Sequence, residues 1–384
     1  MQPQPIAPTK LWFYPCYRRS PFFNATQKAG CQGYDIYNHM LLPAGYDDPE
    51  TEYWHLKNHV TLWDVSVERQ VEITGPDAFR FTNMLTPRDL TKCDVWQCKY
   101  VLITDNDGGI INDPVLARIG ENHFWLALAD SDALLWVKGV AINAGMDVQI
   151  REPDVSPLQI QGPKSKQVVQ ALFGDKVLEM KYYHCMEADL DGIPVVITRT
   201  GWTGEVGYEI YLRDGSRGEE LWDRIMEAGK PCNIRPIAPS EIRRIEAGIL
   251  NYGHDMTLDN NPYEVGLGRL VDLDQEAEFI GKDALKRIEA AGPERKLVGV
   301  EIHGDPLQGW PEEYWPVYLN RNRIGHLTVA AYSPGLKKNI GYALVPIEHA
   351  GLGTGLTLET PFGVLDASVV RKPFVDPKKE TPKS

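Results

Sequence analysis

The sequence lacks any run of about eighteen apolar residues, the span a helix needs to cross a bilayer, so no membrane-embedded protein is expected. Its opening, MQPQPIAPTKLWFYPCYRRS, lacks the basic-then-apolar order of a secretory signal, which points to a cytoplasmic location. Cysteine is sparse: Cys16, Cys31, Cys93, Cys98, Cys185 and Cys232 form no Cys-x-x-Cys pair, and a chain this long needs no disulfide framework. Absent too are a phosphate-cradling P-loop, a complete Gly-x-Gly-x-x-Gly after a strand, and a Gly-x-Ser-x-Gly elbow. His55 and His59, with Glu50 and Glu52 close by on one helix, fit a solvated face better than a zinc site, and no metal is expected. Basic residues fall short of acidic ones, 40 Lys and Arg against 53 Asp and Glu. The resulting formal charge of −13 repels phosphate backbones and anionic lipid, so neither nucleic acid nor a membrane surface is an expected partner.

What is present is enough apolar material, 43% of 384 residues, for two or three cores. Asp48 followed by Pro49 predicts a helix over 49–60, with the aspartate as N-cap and the proline in the first turn. VEITG (71–75) alternates as a strand, 75–85 has helical spacing, and YVLIT, PVLARI and HFWLALA follow as strand-like runs. Further helices are expected at 132–144, 165–173, 216–229, 240–250 and 282–291, with strands at 146–152, 157–161, 193–200 and 208–212. This mixture without regular βαβ alternation favours an α+β architecture. After Gly292-Pro293 only short strands separated by turns remain. The expected domains are one α+β region of two intertwined subdomains over 1–290, a small β-barrel over 294–375, and a disordered polar tail over 376–384.

The break Asp105-Asn106-Asp107-Gly108-Gly109 is a hairpin signal that returns Asn112 and Asp113 beside Tyr100. Alternation sends Asn112 and Asp113 to opposite faces, so only one of them can share the tyrosine's pocket. Taken alone, this is an ordinary surface hairpin. It stands, however, in a series: Trp63-Asp64-Val65-Ser66, Tyr100, Gly108-Gly109-Ile-Ile-Asn112-Asp113, Gln161-Gly162-Pro163, Thr203-Gly204-Glu205-Val206-Gly207-Tyr208-Glu209-Ile210, Arg244-Ile245-Glu246-Ala247-Gly248 and Lys372-Pro373. In these elements the sequence resembles, over essentially its whole length, the aminomethyltransferase (glycine cleavage T-protein) family of folate-binding proteins. Arg18-Arg19-Ser20-Pro21-Phe22, Val65-Ser66-Val67-Glu68-Arg69-Gln70, Leu85-Thr86-Pro87-Arg88-Asp89 and Asn112-Asp113-Pro114-Val115-Leu116 resemble one branch of it, the tetrahydrofolate-dependent dimethylsulfoniopropionate demethylases. Thr203-Gly204-Glu205 departs from that branch and follows the aminomethyltransferase pattern.

The resemblance implies a folate-binding catalytic region, a C-terminal barrel and tetrahydrofolate as the one-carbon cofactor. It places the first residue of an Asp-Asp pair beside the folate nitrogen, and here that residue is Asn112, an amide that cannot accept a proton at neutral pH. A methyl on a sulfonium or quaternary ammonium leaves behind a neutral thioether or amine and needs no such base. The expected function is therefore demethylation of a small onium donor, dimethylsulfoniopropionate or a similar zwitterion. The rivals are aminomethyl transfer and a non-catalytic folate-binding assembly factor, whose Lys-Gly-Cys-Tyr-x-Gly-Gln-Glu motif is missing here.

Asn112 and Tyr100 are the expected catalytic positions, with Tyr100, Asn112, Glu205, Arg244 and Trp202 against the folate. Glu205 would accept paired N–H donors from the pterin, while Arg244 either meets the folate or pairs with an acid. An onium donor calls for aromatic faces worth about 0.5–2 kcal/mol each, offered by Tyr37, Trp63 and Trp202, although Trp63 also reads as core. The cation for a donor carboxylate stays open between Lys99, Arg69 and Arg88, and a homodimer stays open as the assembly.

Overall fold

The computed structural model describes residues 14–384. Two antiparallel-rich sheets and a closed barrel, each with its own apolar core, make up the frame. The larger sheet has six strands in the order Cys185–Leu190, Ile193–Thr198, Gly207–Leu212, Ser156–Gln161, Val60–Asp64 and Ile234–Pro236. Helices Ser165–Phe173 and Gly218–Gly229 cover one of its faces, burying Val168, Val169, Leu221, Trp222 and Ile225. The second sheet has five strands in the order Gln149–Arg151, Gln70–Thr74, His123–Ala127, Val115–Gly120 and Gln97–Tyr100. Helices Ala78–Leu85 and Ala133–Ala144 pack against it around Phe81, Leu85, Phe124 and Val137.

The two sheets meet through a smaller cluster that includes Cys98, Ala117, Trp125, Val196 and Tyr211. This contact explains why strands such as Gly207–Leu212 are buried along their whole length rather than on alternate residues. Residues 295–370 close a six-stranded barrel, Arg295–Ile302 pairing with both Lys338–Pro346 and Gly363–Val370. A further cluster of Tyr53, Leu102, Ile110, Ile245, Val329 and Tyr342 fastens the barrel to the rest. Among the described residues, no helix is long and apolar enough to cross a membrane.

Most expected elements form. The helix after Asp48 runs Pro49–Asn58, its cap accepting from the Thr51 amide at 3.0 Å. Two expectations change. The helix expected over 240–250 stops at Glu246, because Gly248 adopts φ +69° and turns the chain toward the barrel. The tail expected to be disordered over 376–384 is instead a turn and a short helix, Glu380–Lys383, that packs on the body. Pro382 is buried, and the Arg199 guanidinium donates to the Lys383 and Ser384 carbonyl oxygens. Polar composition underestimated this segment because its order comes from one buried arginine and not from a core of its own.

Candidate active site

Where the sheets, the barrel junction and the C-terminal segment converge lies an inner cavity that opens into a wider vestibule. Tyr37, Glu68, Trp202, Asn251 and Tyr252 stand in the walls of both. The site is built from strand ends. Tyr100 closes Gln97–Tyr100 opposite Val115, and Asp113 lies just before that partner strand, held extended by Pro114. The Tyr100 hydroxyl donates to Asp113 Oδ2 at 2.7 Å, whereas Asp113 Oδ1, also buried, accepts from no protein donor among the described residues. Burial pushes the Asp113 carboxyl up from 3.8 to about 7, the Tyr100 hydrogen bond opposing it.

Glu209 enters from the middle of Gly207–Leu212. Its Oε2 accepts from Thr200 Oγ1 at 2.7 Å and Tyr211 Oη at 2.8 Å, and its Oε1 from Gln159 Nε2 at 2.8 Å. Burial raises its proton affinity and these donors oppose that rise. Glu68, in the turn after Val60–Asp64, receives only a long 3.5 Å contact from Gln159 Nε2 among the described residues. Burial, then the charges of Glu209 and Asp113, push it well above the usual carboxylate range. Three carboxyl groups from the sheets thus face one cavity that six aromatic side chains also line: Tyr37, Tyr100, Tyr182, Tyr183, Tyr252 and Trp202. The basic side chains on the wall are Arg243, Arg269 and Lys379, toward the C-terminal segment that contributes Val375 and Asp376.

Of the residues expected at the site, Tyr37, Tyr100 and Trp202 line the inner cavity. Trp63 lines the vestibule while most of it packs with Leu56, Val65 and Ile237. Asn112 does not reach the cavity. It is fully buried on the opposite face, its Nδ2 donating to the Ala129 carbonyl at 2.9 Å and Ser131 Oγ at 2.8 Å, its Oδ1 accepting from the Ala129 amide at 3.1 Å. Strand parity gives the tyrosine's pocket to Asp113. Glu205 is also displaced, tied to Arg243 and Lys57 at 2.8 Å each. Arg244 points away and pairs with Asp255 at 2.5 Å and Glu241 at 2.6 Å; Arg243 takes the wall position. Lys99, Arg69 and Arg88 all miss the cavity wall. Arg69 is held by Glu152, and Arg88 donates to the Tyr100 carbonyl.

Asp113, Glu209 and Glu68 were missing from the expected set. Two of them carried a signal: the parity argument already left Asp113 as an equal candidate, and Glu209 is the one acid in a strand apolar on both faces, YEIYL. Acids in such strands are costly without a purpose.

Two family models match the chain, the GCVT N-terminal domain over residues 22–275 and the glycine cleavage T-protein C-terminal barrel domain over residues 295–376. Dimethylsulfoniopropionate demethylase DmdA of Ruegeria pomeroyi is 39% identical over 354 residues, covering 92% of this chain and 96% of that protein. An aminomethyltransferase of Alkaliphilus oremlandii is 33% identical over 363 residues, covering 93% and 97%. The crystal structure of the glycine cleavage system aminomethyltransferase T from Bartonella henselae superposes with a TM-score of 0.84 at 25% identity, covering 94% of this chain and 98% of that one. With both domain models in order and full-length relatives on either side, the chain belongs to the glycine cleavage T-protein (aminomethyltransferase) family.

Proposed function

We propose that the protein is a tetrahydrofolate-dependent methyltransferase that demethylates a small onium donor of the dimethylsulfoniopropionate type. The observation that carries this reading is the cavity itself, in which aromatic faces stand beside Asp113, Glu209 and Glu68, carboxyl groups without an ion-pair partner among the described residues. Full-length similarity to a demethylase of that donor supports the same choice.

Tetrahydrofolate fits the residues present. A pterin edge is rich in N–H donors, and the unpartnered Asp113 Oδ1 and the cavity-facing Glu209 are acceptors for such an edge. Tyr100, Tyr182 and Trp202 offer flat faces for the ring system, and Arg269 and Lys379 suit its anionic tail. When bound, the coenzyme supplies the nucleophilic nitrogen that takes the methyl group. The chain's own part is to hold two reactants in line and to exclude water, which together lower the barrier by positioning. Tyr100 keeps Asp113 oriented, and the Thr198, Thr200 and Tyr211 hydroxyls do the same for Glu209. No acid is needed for the departing thioether, so no proton has to be delivered to it.

A second reading, aminomethyl transfer, draws on Asp113, whose carboxyl burial pushes up to about 7, in the range that exchanges a proton with an amine. One experiment separates the two. Purified protein is incubated with tetrahydrofolate and a panel of sulfonium, betaine, methylamine and aminomethyl donors, and the folate products are read by mass. A methylated folate formed from a sulfonium donor is expected; product from an aminomethyl donor alone would move the assignment to the second reading.

A further inference from the structure

Glu68 is poorly explained by the fold. Its carboxylate is half-buried, and one partly withdrawn from water is disfavoured unless it is paired or well hydrogen-bonded. The other two acids of the cavity have strong donors, Tyr100 for Asp113 and a set of hydroxyl and amide groups for Glu209. Among the described residues Glu68 has only the 3.5 Å contact from Gln159, whose better hydrogen bond goes to Glu209. No Lys or Arg among the described residues forms an ion pair with it. It also stands where the inner cavity meets the vestibule, beside Tyr37, Trp202 and Tyr252. The vestibule wall has carboxylates throughout, among them Asp35, Asp47, Asp130 and Glu312, and no Lys or Arg among the described residues. A carboxylate inside aromatic faces, at the inner end of an acidic passage, is matched by a cation too weakly hydrated to prefer water.

We infer that Glu68 is the counter-ion for the positively charged donor and fixes the onium at the mouth of the inner cavity. This assignment rests on the onium reading above and adds the residue that discriminates charge. The groups facing Glu68 are Glu209, Asp113, Tyr37 and Tyr211, all acidic or neutral, so none of them supplies the positive charge that would favour its ionised form and a cationic ligand would. Because burial and the neighbouring acids raise the proton affinity of Glu68, a cation that docks there favours the ionised carboxylate and couples binding to proton release.

Calorimetry on the full chain with dimethylsulfoniopropionate and with 4-methylpentanoate, the carbon isostere that keeps the carboxylate and lacks the sulfonium charge, tests this without any turnover. The wild-type protein is expected to prefer the sulfonium at least tenfold and to release protons on binding it, seen as a heat that depends on the buffer. Glu68→Gln should lose most of that preference and the proton release while keeping tetrahydrofolate affinity within about twofold. Equal binding of the two ligands by the wild-type protein overturns the assignment, and this comparison needs no folded variant. An unchanged preference in Glu68→Gln overturns it as well. Sulfonium binding that depends on Glu68, with no methylated folate formed, would refute the demethylation reading and leave the counter-ion standing. Methyl transfer that persists with full donor affinity in Glu68→Gln would do the reverse.

Discussion

Asp113 holds a proton that an exposed aspartate sheds near pH 4, because ionisation inside the cavity forfeits hydration and only Tyr100 compensates. The sign for stability follows. Its folded-state value, about 7, lies above the ordinary 3.8, so the folded protein binds more protons than the unfolded chain between those values. Stability is therefore lost as pH rises through that window. The Asp113→Asn variant, free of ligand, is expected to melt above the wild-type protein at pH 8 and level with it near pH 4. The gap is at most about 4 kcal/mol, and less where cavity water shares the charge. Thermal melting across pH checks it; a variant that melts lower at pH 8 would show the carboxylate to be stabilising.

The same scale shows why the sequence pointed near the site rather than at it. Residue types were legible, an amide or acid after the hairpin, an arginine on the helix after Ser240, a glutamate after the glycine-rich turn. Which neighbour faces inward was not. Asn112 and Asp113 differ only by strand parity, Arg243 and Arg244 by about 100° around a helix, and neither phase is set until the element docks. Asn112, expected against the coenzyme, instead hydrogen-bonds Ala129 and Ser131 on the other face.

At the scale of elements, the hairpin was the most legible feature and its two glycines have different reasons. Gly108 takes φ +84°, a conformation that a side chain disfavours. Gly109 is needed for closeness: a β-carbon there would lie 2.4 Å from the Leu258 carbonyl oxygen. Gly109→Ala must push the 258–260 segment aside, breaking the bond from the Ile110 amide to the Asn260 carbonyl that anchors the hairpin. A loss of about 2–3 kcal/mol is expected in urea unfolding; a loss under about 0.5 kcal/mol would mean that the segment yields freely. Less legible were strands without alternation. Val60–Asp64 is buried at every position and follows a helix directly, so no periodicity marks its start. YVLIT reads as one strand, yet it parts after Tyr100, where the chain leaves the five-stranded sheet for the hairpin Ile103–Thr104 with Ile110–Asn112.

Across the whole molecule, the C-terminal segment couples regions far apart in sequence. Val375, Asp376, Lys379 and Pro382 form part of the inner wall, and Arg199 ties the end of the chain to Met180. Removing residues 376–384 should leave the barrel intact while uncovering Tyr182 and Arg199. Hydrogen exchange is expected to rise at least tenfold around residues 180–184 and stay unchanged in 295–370. A rise spread evenly over the chain would instead make the segment a global clamp. The division at Gly292-Pro293 was visible in composition, but the return of the last residues to the first sheet was not, since no local pattern encodes a contact made across 185 positions.

Because Tyr37, Asp113, Glu209, Tyr252 and Val375 come from five separate stretches and enclose one space, an occupant acts as a keystone. A molecule that binds only the assembled arch, at a hundred times its dissociation constant, adds about 2.7 kcal/mol to the work of unfolding. The melting point of the protein is thus a gauge of what fills its centre, and every lobe feels the filling at once.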